Sequence, residues 1–245
     1  MAPSKKRLAS APPKDAAQNR LLMQLSNASY RGIVRHLEPV EIHAGQIIYE
    51  SGDQVSDLYF PHKNTMLSLL CTTSDANAVE VGVTGWEGFS GFACLLGSDW
   101  TPHQIMGQIP GSALKIKASA LLGIFHGDME VRTLLLRYVQ AVICQISQTA
   151  LCNRIHSVEE RLARWTLVSQ DRTETRQLPL THELLARMLG VNRSTVSLTA
   201  GVLQQAGVVR YSRGKFTILD RARLLEIACG CYVSVKEQYQ RLGIF

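Results

Sequence analysis

The sequence predicts an α+β chain: an N-terminal β jelly roll, a long helix and a C-terminal winged helix-turn-helix. Three observations predict it. From Pro39 onward, turn signals recur about every ten residues and separate short strand-like runs. Residues 129–153 then contain no glycine or proline and follow a helical period. Finally, a pair of helix patterns interrupted at Gly190 runs into two short alternating segments around Ser212-Arg213-Gly214.

A chain of 245 residues is long enough for two domains, each with its own core. Residues 1–18 read as a disordered basic tail with Pro3, Pro12 and Pro13. Residues 19–125 are the expected jelly-roll domain. It opens with one or two helices between Asn19 and Leu37, marked by Leu21, Leu22, Leu25, Ile33, Val34 and Leu37. The clearest strands are 46–50, 58–60, 66–70, 78–83, 104–109 and 113–116. Six to eight such strands with glycine turns point to a β-sandwich or jelly roll.

Residues 126–155 hold the long helix. Val131, Leu135, Tyr138, Val142, Gln145, Thr149 and Cys152 follow an a/d spacing, which Leu134 and Ala141 widen. Such a stripe either packs on its own β domain or forms a seam between two chains. The second reading is preferred, and it assigns Val131, Leu135, Tyr138, Val142, Gln145 and Thr149 to a homodimer interface.

Residues 156–228 contain the winged helix-turn-helix. Thr181 is a plausible N-cap, with Glu183 in the first turn facing the positive end of the helix dipole. Leu184, Leu185, Met188 and Leu189 form the inward stripe, Ala186 permits a close crossing, and Gly190 ends the helix. Asn192 is positioned to cap the next helix, with Val196, Val202 and Leu203 facing inward. Arg193, Ser194, Ser197 and Leu198 then lie outward, where a recognition helix meets base edges in the major groove of double-stranded DNA. Thr181 and Thr195, with Arg213 and Lys215 at the wing tip, are placed for phosphate contact. Gly201, unfavourable inside a helix by about 1 kcal/mol relative to alanine, is expected to permit close packing with the preceding helix. Residues 229–245 are read as a C-terminal tail.

The charge distribution agrees with a polyanion partner. Of the net +6, residues 156–245 contribute +5 (13 basic against 8 acidic) and residues 1–14 contribute +4, whereas residues 15–155 carry −3. The tail is thus either a solubilising arm or an aid to non-specific DNA affinity. No apolar run reaches the roughly 18 residues of a membrane span, and the first residues lack a signal-peptide pattern. A cytoplasmic location is expected. The six cysteines (Cys71, Cys94, Cys144, Cys152, Cys229, Cys231) show no Cys-x-x-Cys pair, and the seven histidines show no i, i+4 pairing. Reduced thiols, no metal and no cofactor are therefore expected, with Cys229-Gly-Cys231 the one close pair. No nucleophile–base pair or nucleotide-binding glycine loop is legible, so the chain is not expected to be an enzyme.

From about residue 20 to 228 the chain resembles the Crp/Fnr superfamily of bacterial transcription regulators. The resemblance rests on Ile47-Ile48-Tyr49-Glu50-Ser51-Gly52-Asp53 with Leu58-Tyr59-Phe60, the long helix, Glu159-Glu160-Arg161-Leu162-Ala163-Arg164-Trp165, and Leu185 to Asp220. It implies a cyclic-nucleotide-binding-like β domain, a homodimer, DNA binding and contact with RNA polymerase. Cyclic-nucleotide-binding members carry a Gly-Glu-Leu turn whose Glu meets the ribose, then an Arg-Ala-Ser/Thr segment whose Arg meets the phosphate. The corresponding residues here, 85–97 and 99–104, contain no arginine. Cyclic AMP binding is therefore not expected. The degenerate pocket would be formed by Glu87, Phe89, Phe92, Leu95 and His103, either around an apolar effector or as a filled core; the filled core is preferred. The N-terminal cysteines of the iron–sulfur members are absent, and the haem ligands cannot be carried over. In the recognition helix Arg193 matches the family's first arginine, while Ser194 and Leu198 replace its usual glutamate and second arginine, which implies a different half-site. A winged helix that binds protein in a sensing or scaffold module is the alternative to DNA recognition.

Overall fold

The computed structural model describes residues 18–73 and 78–245, so the basic tail expected over residues 1–18 lies almost wholly outside the described residues. Two short helices, α1 (Arg20–Gln24) and α2 (Asn27–Val34), lead into seven strands. These are β1 (Glu38–Ile42), β2 (Ile47–Tyr49), β3 (Asp57–Pro61), β4 (Met66–Thr72), β5 (Ala78–Thr84), β6 (Gln104–Ile109) and β7 (Gly111–Lys117). They form two antiparallel sheets, ordered β1-β7-β3 and β2-β6-β4-β5, and the chain changes sheet across Pro110. A 3₁₀ turn, Phe92–Leu96, sits between β5 and β6. The expected β-sandwich is thus present, with β1 as an additional strand.

Helix α3 (Ala118–Gly127), which the sequence reading leaves unassigned, leads into α4 (Met129–Ile155). Asp128 caps α4 by accepting from the amides of Glu130 and Val131. The next helix, α5 (Val158–Thr173), starts with a reciprocal capping box between Ser157 and Glu160. Then come β8 (Gln177–Pro179), α6 (His182–Leu189), α7 (Arg193–Gln205), β9 (Val209–Ser212), β10 (Lys215–Ile218), α8 (Arg221–Ile227) and α9 (Cys231–Arg241). Strands β8, β10 and β9 make a small antiparallel sheet. No helix among the described residues is long and apolar enough to cross a membrane.

The two halves share a buried seam. Met66, Leu70, Val83, Met106 and Ile109 of the four-stranded sheet pack with Leu162, Trp165, Val168, Met188 and Leu189 of α5 and α6. This explains why β6 is buried along its whole length rather than on alternate residues. Directional bonds cross the same seam. Trp165 Nε1–H donates to Glu80 Oε1 (2.6 Å) and Arg187 donates to Gln104 Oε1 (2.8 Å), while Ser68 Oγ, within the sheet, donates to Glu80 Oε2 (2.7 Å). Deeper in, Arg172 of α5 donates from Nε to Glu87 Oε1 (2.8 Å), both side chains being almost wholly buried.

That depth requires correcting two expectations. Val131, Leu135, Tyr138, Val142, Gln145 and Thr149 do not form a free dimer seam; all six are buried inside their own chain. Tyr138 donates to Thr84 Oγ1 (3.0 Å), and Gln145 donates to the Val83 carbonyl (3.1 Å) and to the Tyr239 hydroxyl (2.9 Å) while accepting from the Val83 amide (3.1 Å). The a/d stripe faces the β domain and α9. Residues 229–245 are likewise no tail, because α9 buries Val235 and Tyr239 against α4, and Ile244 follows them into the core. The cysteines are not all scattered either: Cys152, Cys229 and Cys231 converge. Gly201 also departs from expectation, since a Cβ there would meet nothing within 4 Å; close helix packing does not require it.

Two predictions follow from the seam. Burial pushes the Glu80 carboxyl up to about 7, against its hydrogen bonds from Ser68 and Trp165 and the charges of Arg164 and Arg172 on α5. The folded state therefore keeps a proton that the unfolded chain, titrating near 4.5, gives up. This contribution is complete below pH 4.5 and is lost as pH rises through 7, by roughly 3 kcal/mol. Urea unfolding between pH 4 and 8 should show that loss in the parent and not in Glu80→Gln; parallel curves would refute the assignment. For the buried ion pair, Arg172→Met leaves Glu87 uncompensated and should cost about 3–5 kcal/mol, most of it recovered in the Arg172→Met/Glu87→Gln double variant. Additive losses in that cycle would show that the two side chains are not coupled.

Candidate nucleic-acid interface

The local sequence builds the helix-turn-helix as expected. Thr181 Oγ1 accepts from the Leu184 amide (3.1 Å) and caps α6. Gly190 takes a left-handed conformation (φ +63°) that ends it, and a Cβ there would lie 3.1 Å from Val79 of β5. Asn192 occupies the N-cap position of α7, but its side chain makes no capping hydrogen bond. Val196, Ala200 and Leu203 form the buried face of α7. Val202, expected to face inward, is 48% exposed, because the i, i+4 row running 194, 198, 202 lies on the outer side.

Arg193, Ser194, Ser197 and Leu198 are all exposed, and Leu198 at 74% is unusually so for an apolar residue. Thr195 is half-buried beside them. Ser197 is not wholly free: its hydroxyl lies 2.8 Å from His182 Nδ1. His182 in turn stacks on Tyr211 of β9, with ring centroids 3.9 Å apart. Partial burial, and then the Arg193 charge, lower the His182 pKa, which favours the neutral ring. This His182–Tyr211 stack links α6, α7 and the wing. Sequence reading missed it because residues 182, 197 and 211 share no short spacing.

The wing turn places Arg213 (φ +50°) and Gly214 (φ +74°) in the left-handed region, the geometry of a type I′ hairpin. Arg210, Arg213 and Lys215 line a groove of about 290 Å³ with Gln177, Ser212 and Thr217. Arg210 was the cation sequence reasoning overlooked. Its position on β9, three residues before the turn arginine, was the available signal.

In the β domain the degenerate-pocket residues meet the chain itself. Glu87 is held by Arg172 and by the Gly85 amide (3.1 Å). Burial opposes charge on Arg172, but Glu87, followed by the Tyr239 and Tyr138 hydroxyls, holds its pKa above the ordinary value. Phe89 is fully buried between Phe60 (5.3 Å) and Tyr138 (5.0 Å). A side chain at Gly88 would run into the Tyr138 ring. Leu95 is buried and Phe92 half-buried on the same core. His103 is half-buried, and burial lowers its pKa, which disfavours a cation in place of the missing arginine.

Residues 160–227 match the family described as the Crp-like helix-turn-helix domain. No curated protein matches the chain. Among solved structures, the chain is similar to a putative transcriptional regulator of the crp/fnr family from Eubacterium rectale, at 22% identity and a TM-score of 0.65, over 84% of this chain and 96% of that one. It is also similar to FixK2 from Bradyrhizobium japonicum, at 16% identity and a TM-score of 0.67, over 79% and 98% of the two chains. A third likeness is to CLP, the c-di-GMP responsive global regulator of Xanthomonas campestris, at 16% identity and a TM-score of 0.65, over 79% and 99%. The chain is therefore built on the Crp/Fnr fold and carries a Crp-like helix-turn-helix domain.

Proposed function

We propose that the protein is a homodimeric, sequence-specific DNA-binding transcription regulator of the Crp/Fnr type whose DNA binding does not depend on cyclic AMP. One observation carries the reading: the outer face of α7, with Arg193, Ser194, Ser197 and Leu198, is exposed beside a wing bearing Arg210, Arg213 and Lys215. Arg193 is suited to a bidentate bond with guanine and Leu198 to a thymine methyl, while the wing cations and Thr195 meet phosphates. Thr181 retains a phosphate role only through lone-pair capacity left over from capping α6.

Dimerisation is supported on a different face of α4 from the one the a/d stripe predicted. Gln140, Ile143, Ser147, Ala150 and Arg154 alternate at spacings of three and four on the exposed side, away from the β domain. Ile143 is 51% exposed there. Two copies joined along this face would present two α7 helices to successive half-sites about 34 Å apart. Independence from cyclic AMP is supported by the filled core around Phe89 and by Glu87, whose charge is already matched by Arg172.

Arg193→Ala should weaken binding to a selected operator by roughly 10- to 100-fold while leaving non-specific DNA binding little changed. Equal losses on both would reject base readout. Removing Arg213 or Lys215 should lower the salt slope of log affinity by about one each, and a parent affinity indifferent to salt would instead favour a protein partner for the wing. Added cyclic AMP should leave the operator affinity unchanged. Ile143→Glu should convert the dimer to a monomer by light scattering without lowering the melting temperature of the fold. A variant that stays dimeric would place the seam elsewhere.

A further inference from the structure

Where α4 ends and α9 begins, four side chains that sequence spacing did not connect come together. Cys152 and His156 lie one turn apart at the C-terminal end of α4, and Cys229 and Cys231 flank Gly230 at the start of α9. Their ligand atoms all lie within 4.8 Å of one another, and the three cysteines are buried. Cys152 Sγ is 3.5 Å from Cys229 Sγ, and Cys231 Sγ is 3.5 Å from His156 Nδ1.

We propose that Cys152, His156, Cys229 and Cys231 form a mononuclear, tetrahedral Cys₃His site for a borderline-soft divalent cation, zinc being the fitting ion. Zinc–sulfur bonds of about 2.3 Å and zinc–nitrogen bonds of about 2.0 Å imply ligand–ligand edges of about 3.5–3.8 Å in a tetrahedron. The two measured edges are of that size, and the overall spread leaves room for one ion. An iron–sulfur cluster would hold its cysteine sulfurs farther apart, with several irons and sulfides between them. Three thiolates and an imidazole also form a recognised donor set for structural zinc, with no position left open for a substrate.

The surroundings suit the charge of such a site. Zinc with three thiolates carries a net −1, and Arg161 and Arg164 of α5 lie close enough for their charges to act on the cluster. Both guanidinium groups have a buried Nε without a partner among the described residues. Gln148 Nε2–H donates to Cys231 Sγ (3.1 Å). Such N–H···S bonds orient and stabilise thiolate ligands. As zinc binds, each thiol gives its proton to solvent and its electron pair to the metal, with no change of oxidation state.

The position gives the site a purpose. The Crp-like domain, residues 160–227, lies between the two ligand pairs in sequence, so one ion would staple both of its ends together. Arg161 extends the link, since its guanidinium also donates to the Leu189 carbonyl at the end of α6. Sequence reading missed the site because it tested cysteine with cysteine and histidine with histidine. The signal was the mixed pair Cys152-x-x-x-His156 joined to Cys229-x-Cys231.

The full chain, purified under reducing conditions without a polyhistidine tag, tests this directly. Elemental analysis after loading with zinc should give one ion per chain. Replacing zinc by Co²⁺ should give the intense visible bands of a tetrahedral ion with thiolate-to-cobalt charge transfer in the near ultraviolet. Chelation should lower the melting temperature, and added zinc should restore it. Cys229→Ser/Cys231→Ser should lose the stoichiometric ion, whereas Cys71→Ser, at an exposed cysteine outside the cluster, should keep it. The proposal is overturned if the reduced parent binds no stoichiometric zinc, if cobalt gives the weak spectrum of an octahedral ion, or if the double variant retains the metal. A brown iron–sulfur chromophore in the purified parent would equally overturn the mononuclear assignment.

Discussion

The structure depends most on the docking of α5 and α6 against the outer face of the four-stranded sheet. Apolar contact supplies most of the driving force there, but on its own it tolerates sliding. The Glu87–Arg172 pair and the Trp165–Glu80 hydrogen bond do not, because each is buried and directional. Moving the helix-turn-helix away from this sheet would expose a carboxylate and a guanidinium that now satisfy one another. The orientation of the candidate recognition helix is thus tied to the β domain by polar groups that cannot be left unpaired.

That seam also changes the meaning of the β domain. Between β5 and β6, the residues expected to line a degenerate pocket are met by the chain itself. Here Glu87 faces an arginine supplied by the chain itself, and Phe89 fills the interior with Phe60 and Tyr138. The carboxylate is paired with an internal cation, and an aromatic cluster packs the interior beside it. The domain thereby holds α4 and α5 in place.

Helix α4 is used on two sides. Its most regular stripe faces inward and is held by Thr84, Val83 and Tyr239, leaving a more polar side exposed. Its last turn contributes Cys152 and His156 to a four-ligand cluster with the start of α9. One helix therefore joins the β domain, the C-terminal helix and the winged domain, so a change in its packing would reach all three.

The helix-turn-helix was legible in the sequence because its signals are local. Thr181, Gly190 and the Val196–Leu203 spacing act within a few residues, and capping, left-handed turns and helical periodicity operate over that range. The tight wing turn and most of the strands were legible for the same reason. Only the tertiary structure decided which partner each buried face meets. An a/d stripe on α4 records that it is buried and cannot record whether its own α9 or a second chain covers it. The pairing of Glu87 with Arg172 and the convergence of Cys152 with Cys229 span 85 and 77 residues. Contacts so distant leave no periodic trace in the chain, because they exist only once the core has set the helices side by side.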